Sequence, residues 1–165
     1  MGNKGNVLLV FPGPVKAPLT DLPLSLVFLA AAARKAGFNP ILVDMKKEFP
    51  TVDPRDLLCV GISAMTGGQV KYGLRLARDI RRDNPNLPIV WGGIHPTILA
   101  SQTAANEYVD IVVRGEGENT FVDLLQALAN KVSLDGVKGL TYSEQGEIRH
   151  TPDRDFIEVN DIDIV

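Results

Sequence analysis

Five short runs of mainly branched aliphatic residues, separated by helix-like segments, constrain the fold of this chain most: Asn6–Phe11 (NVLLVF), Pro40–Asp44 (PILVD), Leu57–Ser63 (LLCVGIS), Leu87–Trp91 (LPIVW) and Val109–Val113 (VDIVV). The runs are apolar throughout rather than alternating, as in strands covered on both faces, so the pattern is that of a parallel sheet between two helix layers. The intervening segments carry helical signals. Leu22–Ala36 opens near Asp21 and Pro23 and stops at Gly37, with Arg34 and Lys35 in its last turn. Gln69–Arg82 repeats apolar residues at three and four and ends before Pro85, and Glu118–Ala129 places Phe121, Leu124, Leu125 and Leu128 on one face. Leu99–Glu107 is a shorter helix candidate. After Asp135 the pattern changes, and Gln145-Gly146 between two β-prone segments reads as a hairpin. The expected fold is α/β: a doubly wound five-stranded parallel sheet with a C-terminal β-hairpin. Thr151–Val165 reads as an acidic linker or strap, giving an α/β domain over 1–135 and a hairpin and linker over 136–165.

Composition excludes several function classes. With 165 residues, 45% of them hydrophobic and 22% charged, the chain has the makeup of one ordinary globular domain. A net charge of −3 gives no basic excess to suggest nucleic acid. The longest uncharged apolar run, Leu22–Ala33, falls short of the ~18 residues of a membrane span and lies too far inside the chain for a secretory signal. A cytoplasmic setting is the expectation. Cys59 is the single cysteine, so the chain's own thiolates can form neither a disulfide nor a multi-cysteine metal or cluster site. Its apolar strand marks it as a buried structural thiol.

In an open parallel sheet, ligands bind outside the carboxyl ends of the strands. The segments following those ends are Pro12-Gly13-Pro14, SAMTGG at 63–68, GGIHPT at 92–97 and RGEGE at 114–118. Glycine lets a ligand approach the main chain where a Cβ would clash, although any one such loop could equally be a plain βα turn. Three readings fail here. The dinucleotide fingerprint G-x-G-x-x-G is missing after the first strand, no G-x-x-x-x-G-K-[ST] occurs, and the third strand ends in Ser63 where a phospho-receiver would want Asp.

Taken together, PLTDLPLSLVFLAAAARKAGF at 18–38, GISAMT at 61–66, WGGIHPT at 91–97 and VVRGEGENTF at 112–121 resemble the cobalamin (B12)-binding domain that precedes a radical S-adenosylmethionine domain. The resemblance spans roughly residues 5–160. It implies a Rossmann-like sheet with cobalamin across its carboxyl edge, Ser63-Ala64-Met65 and Gly92-Gly93 lining a groove for the nucleotide tail, and the corrin on the loops. The cofactor-binding residues expected on this basis are Ser63, Met65, Thr66, Gly92, Gly93, Ile94, His95, Gly115, Glu116 and Gly117. No catalytic residue and no protein metal ligand is assigned.

One departure is informative. The mutase and methionine-synthase branch carries Asp-x-His-x-x-Gly after its first strand, whereas no histidine precedes His95 here. The resemblance to the radical-enzyme branch implies that such a ligand is normally missing, and its absence here fits that branch. The lower face of cobalt is left to water, a side chain of residues 12–22, or nothing. His95, between the Gly-Gly pair and Pro96, suits a role in orienting the loop or hydrogen-bonding a ligand amide or phosphate, and His150 suits a solvated hairpin. Glu118 reads as favouring a helix N-terminus, and Glu116 as contacting the ligand or Arg114. Lys71, Arg75, Arg78 and Arg82 form a basic stripe of the kind a solvated helix face presents.

The functional expectation is a cobalamin-binding module of a radical S-adenosylmethionine enzyme, serving methyl transfer to an unactivated substrate or an oxidative-cyclase-type reaction. The hallmark Cys-x-x-x-Cys-x-x-Cys is absent, so the 4Fe-4S cluster and S-adenosylmethionine are expected only in a further domain, which is also the expected partner, and this chain is not competent alone. The alternative is a flavodoxin-like module that binds FMN or serves in docking.

Overall fold

In a computed structural model of the chain, residues 3–14, 24–48, 50 and 53–155 are described. The elements in order are β1 (Asn6–Phe11), α1 (Leu24–Lys35), β2 (Asn39–Asp44), β3 (Leu57–Ser63), α2 (Gly68–Asp83), β4 (Ile89–Gly92), α3 (Ile94–Ile98), α4 (Ala100–Ala104), β5 (Ile111–Val113), α5 (Gly117–Asn130), β6 (Leu140–Glu144) and β7 (Glu147–His150). They form one mostly parallel sheet of seven strands in the order β2-β1-β3-β4-β5-β6-β7. The pairs from β2 through β5 are parallel, and β5-β6 and β6-β7 are antiparallel. The sheet is therefore wider than the five strands expected. Leu140 pairs with Val113 and Tyr142 with Ile111, so the C-terminal strands extend the sheet.

Strand order decides which face each helix covers. The chain moves one way from β1 to β2 and the other way from β3 through β5, so right-handed crossovers put α1 on one face and α2 to α4 on the other. α5 then packs beside α1. Two cores result. On the α1/α5 face, Val7, Leu9, Cys59, Val90 and Val113 meet Leu26, Ala30, Phe121 and Leu124. On the other, Leu8, Val10, Val60, Ile62 and Trp91 meet Leu76, Ala77 and Ile80. The basic residues Lys71, Arg75, Arg78 and Arg82 are exposed on α2, as expected of a solvated face.

The Leu99–Glu107 helix is replaced by two shorter helices beginning at Ile94. Pro96 is tolerated because it sits in the first turn, where its missing N–H has no intrahelical partner. Asp21 and Pro23, read as the start of the first helix, lie outside the described residues, as does the strap beyond Asp155.

Cys59 is fully buried, and burial pushes its thiol up to about 12. A thiol reagent at pH 8 is expected to label the chain only on unfolding, with absorbance of the released leaving group as the check. Because the folded state holds the proton more tightly, this contribution to stability is complete below the unfolded thiol's pKa and is lost as pH rises towards about 12.

The C-terminal segment is bolted to the core by two arginines. Arg114 Nη1 donates to the Leu140 carbonyl and to Thr141 Oγ1 (2.6 Å), while Nη2 donates to the Thr151 carbonyl (2.7 Å) and to Asp153 (2.7 Å). Arg154 returns to α5, donating to Thr120 Oγ1 at 2.9 Å and pairing with Asp123. The Arg114 guanidinium thus holds β6 and residues 151–153. Arg114→Met is expected to cost about 2 kcal/mol, because the carbonyls of Leu140 and Thr151 and the Thr141 hydroxyl, all on buried residues, lose a charged donor. Urea unfolding, with faster amide exchange at 139–141 and 151–153, is the measurement.

Candidate functional site

Between α1 and α5, above the carboxyl halves of β3, β4 and β5, lies a cavity of about 190 Å³. It is open above the sheet because Gly61 on β3 and Gly92 on β4 carry no side chain there, leaving Ser63 and Val90 as the side chains those strands present. Val90 and Gly92 face α1 and α5 while Trp91 faces α2, and on β3 Gly61 and Ser63 share that orientation. Gly61 is in register with Val90, and Ser63 with Gly92, so the two glycines stand on a diagonal, two positions apart along the strands. A Cβ on Gly61 would stand 2.9 Å from Leu9 Cδ2 and 3.6 Å from Phe121 Cζ. One on Gly92 would come no nearer than 3.7 Å to any atom, that of Val113 O, so its substituent would occupy the cavity itself.

The walls are apolar. Leu9, Val90 and Val113 form the floor, with Leu26 and Leu29 from α1 on one side and Phe121 from α5 on the other. Polar groups gather at the carboxyl edge: Ser25, Ser63, Glu116 and Glu118. The Ser25 and Ser63 hydroxyls are 3.5 Å apart.

Hydrogen bonds tie the three rim loops together. Ala64 N donates to Gly92 O (2.9 Å) and His95 N to Ala64 O (3.3 Å), which joins the loops after β3 and β4. Gly115 N donates to Thr97 Oγ1 (3.1 Å), which joins those after β4 and β5. Met65 N donates to Gln69 Oε1 at 2.7 Å. Such a rim is set before any ligand arrives.

Of the ten residues expected at the site, Ser63, Gly92, Gly93, Gly115, Glu116 and Gly117 line the cavity. Met65, Thr66, Ile94 and His95 lie on the rim loops outside it, with Met65 and Ile94 more than half exposed. Glu118 stands in the first turn of α5, where a carboxylate favours the helix dipole. His150, expected to be solvated, is exposed but bridges Thr141 Oγ1 (2.9 Å) and Ser101 Oγ (3.1 Å), away from the cavity. Among the described residues, no group of three or more His, Cys, Asp and Glu is placed to hold a metal ion, and no helix is long and apolar enough to cross a membrane. Sequence reasoning missed Ser25, Leu26, Leu29, Gly61, Phe121 and Thr97. Gly61 carried a signal, since a glycine inside a strand often marks close approach of a ligand.

The dimensions limit what fits. A dry apolar cavity of ~150 Å³ takes a benzene-sized ring, so this slot suits a small planar heterocycle and is far too small for a macrocycle. Any larger body attached to that heterocycle would lie on the rim.

Comparison with known proteins gives this geometry a context. A model of the B12-binding domain family matches residues 15–125. An uncharacterized methyltransferase of Pyrococcus horikoshii is 32% identical, covering 92% of this chain and 36% of that protein. The anaerobic magnesium-protoporphyrin IX monomethyl ester cyclase of Synechocystis is also 32% identical, over 86% of this chain and 30% of the cyclase. The chain thus spans about a third of the length of these relatives. Among solved structures, the radical S-adenosylmethionine methyltransferase TsrM of Kitasatospora setae, with cobalamin and a 4Fe-4S cluster bound, shares the fold at a TM-score of 0.74 and 22% identity, over 98% of this chain and 31% of that one. The receiver domain of nitrogen regulatory protein C shares it more distantly, at a TM-score of 0.55 and 16% identity over 78% of this chain and 97% of that one.

Proposed function

Because the chain belongs to the B12-binding domain family, we propose that it holds cobalamin with the nucleotide tail in the slot between α1 and α5 and the corrin on the carboxyl edge of the sheet. The observation that carries this reading is the slot itself: apolar walls, a glycine on each of two neighbouring strands, and a hydroxyl pair at its mouth. The fit is chemical as well as spatial. Ser63 offers a hydroxyl to a heterocycle nitrogen, Gly92 and Gly93 leave room for the flat ring, and Gly115, Glu116 and Gly117 close the α5 side. Met65, Thr66, Ile94 and His95 form the platform beneath the corrin, where the exposed apolar side chains of Met65 and Ile94 cover hydrocarbon and His95 hydrogen-bonds an amide or phosphate.

Bound cobalamin supplies a cobalt centre able to carry a methyl group or support radical chemistry. The chain's part is to bind, orient and keep water from the tail. In this reading residues 1–135 are the cofactor-binding unit, and 136–165 lead towards a radical S-adenosylmethionine domain that supplies the 4Fe-4S cluster and S-adenosylmethionine, in a cytoplasmic enzyme of methyl transfer or oxidative cyclisation. Both relatives support that pair of reactions. A flavin is not favoured, since the matching family binds B12.

The test is direct. Purified chain mixed with hydroxocobalamin or with FMN is passed through gel filtration while visible absorbance is recorded. The corrin is expected to elute with the protein and FMN to be left behind; a protein peak without corrin absorbance under both reducing and oxidising conditions would overturn the proposal.

A further inference from the structure

We infer that the slot selects among cobamides by their lower base, favouring a benzimidazole-type base over a purine, and that Ser25 is a specificity-determining residue for that choice. The inference rests on the tail lying in the slot, as proposed above. It follows from how polarity changes with depth. Leu9 and Leu26 are 1% exposed and Phe121 2%, whereas Ser25 lies exposed on the first turn of α1 and Ser63 is 9% exposed. The inner end is therefore hydrocarbon, and the hydrogen-bonding groups stand at the mouth.

A benzimidazole base matches that gradient. It has one ring nitrogen able to accept a hydrogen bond, and its opposite edge is hydrocarbon. Ser25 and Ser63 approach each other only to 3.5 Å, well beyond the ~2.7–2.8 Å of a good hydroxyl pair, so neither hydroxyl is saturated by the other and both remain available to that nitrogen. The inner edge of the base then faces Leu9, Val90 and Phe121 and stops short of Gly61, where Leu9 Cδ2 already stands 2.9 Å from the position of an added Cβ.

A purine adds further ring nitrogens and, in adenine, an exocyclic amine. Placed in the same orientation, these groups meet Leu9, Val90 and Phe121, which offer no hydrogen bond. The carboxylates of Glu116 and Glu118 sit on the loop and first turn at the mouth, so they reach an amine only if the ring is turned outwards. Either way one polar group or one apolar edge is misplaced, which corresponds to about 10- to 100-fold in affinity.

Absorbance titrations of the chain with cobalamin, with an adenine-containing cobamide and with base-free cobinamide test this. Cobalamin is expected to bind at least about 10-fold more tightly than the adenine form. Ser25→Ala should weaken cobalamin severalfold and leave cobinamide unchanged, and Ser25→Thr should restore cobalamin, with circular dichroism confirming that each variant folds. Equal binding of cobalamin and the adenine form, both tighter than cobinamide, would overturn base selection while leaving the tail in the slot. Equal binding of all three, or no binding of cobalamin, would instead overturn the placement on which the inference rests. Unaltered cobalamin binding by Ser25→Ala would remove that residue's role.

Discussion

Gly92→Val is expected to leave the protein folded and to weaken cobalamin binding about 100-fold, equivalent to about 2.7 kcal/mol. A Cβ at this position meets nothing closer than 3.7 Å, and a β-branched residue suits a strand, so unfolding by urea should shift by no more than about 1 kcal/mol. The valine methyls instead enter the slot beside Ser63, the partner of Gly92 across the sheet. A ring in a slot this narrow cannot share that space, and over-packing of this kind typically costs about 1–3 kcal/mol. Cobinamide, which carries no base, should bind the variant within about threefold of the wild-type chain on the same reasoning. Parallel absorbance titrations provide the check: equal loss for both ligands would mean that the variant damages the rim rather than the slot.

Gly93→Ala should act the other way, on the fold first. Gly93 has φ 96° and ψ −172°, a region open essentially to glycine and costing other residues about 1–3 kcal/mol. Its added Cβ would also stand 2.9 Å from Ala64 O and 3.2 Å from Ala64 N. Those are backbone atoms held by the Ala64 N to Gly92 O and His95 N to Ala64 O hydrogen bonds, so no rotamer change relieves the contact. The expected destabilisation is about 3 kcal/mol, read as a lower urea midpoint, with a thermal midpoint about 6–12 °C lower for a chain of this size. Unchanged stability would show that the rim is softer than its hydrogen bonds imply.

The sheet was legible where local chemistry determines structure. β1 and β3 begin and end where their apolar runs do, and Gly37, at φ 93°, follows the first helix as its composition suggested. β4 begins at Ile89 rather than Leu87, because Leu87 is buried in the preceding turn without joining the ladder. The extension of the sheet by β6 and β7 depends on pairing with β5 and on the Arg114 contacts, which no local pattern reveals. The site divides along the same line. The glycine-rich loops announced themselves because strand ends and turn residues are local features. Ser25, Leu29 and Phe121 did not, because the walls of the slot come from the first and last helices of the α/β core and meet only through the switch of faces at β1 and β3.

A nucleotide base seated between α1 and α5 is not available to cobalt. Electron paramagnetic resonance of the chain loaded with cobalamin in its one-electron-reduced, cob(II)alamin form reports it directly, because an axial nitrogen splits the cobalt signal. The expected spectrum shows no nitrogen splitting, in the wild-type chain and in His95→Ala alike. Nitrogen splitting that persists in His95→Ala would put the base on cobalt and the slot empty, and would contradict the account.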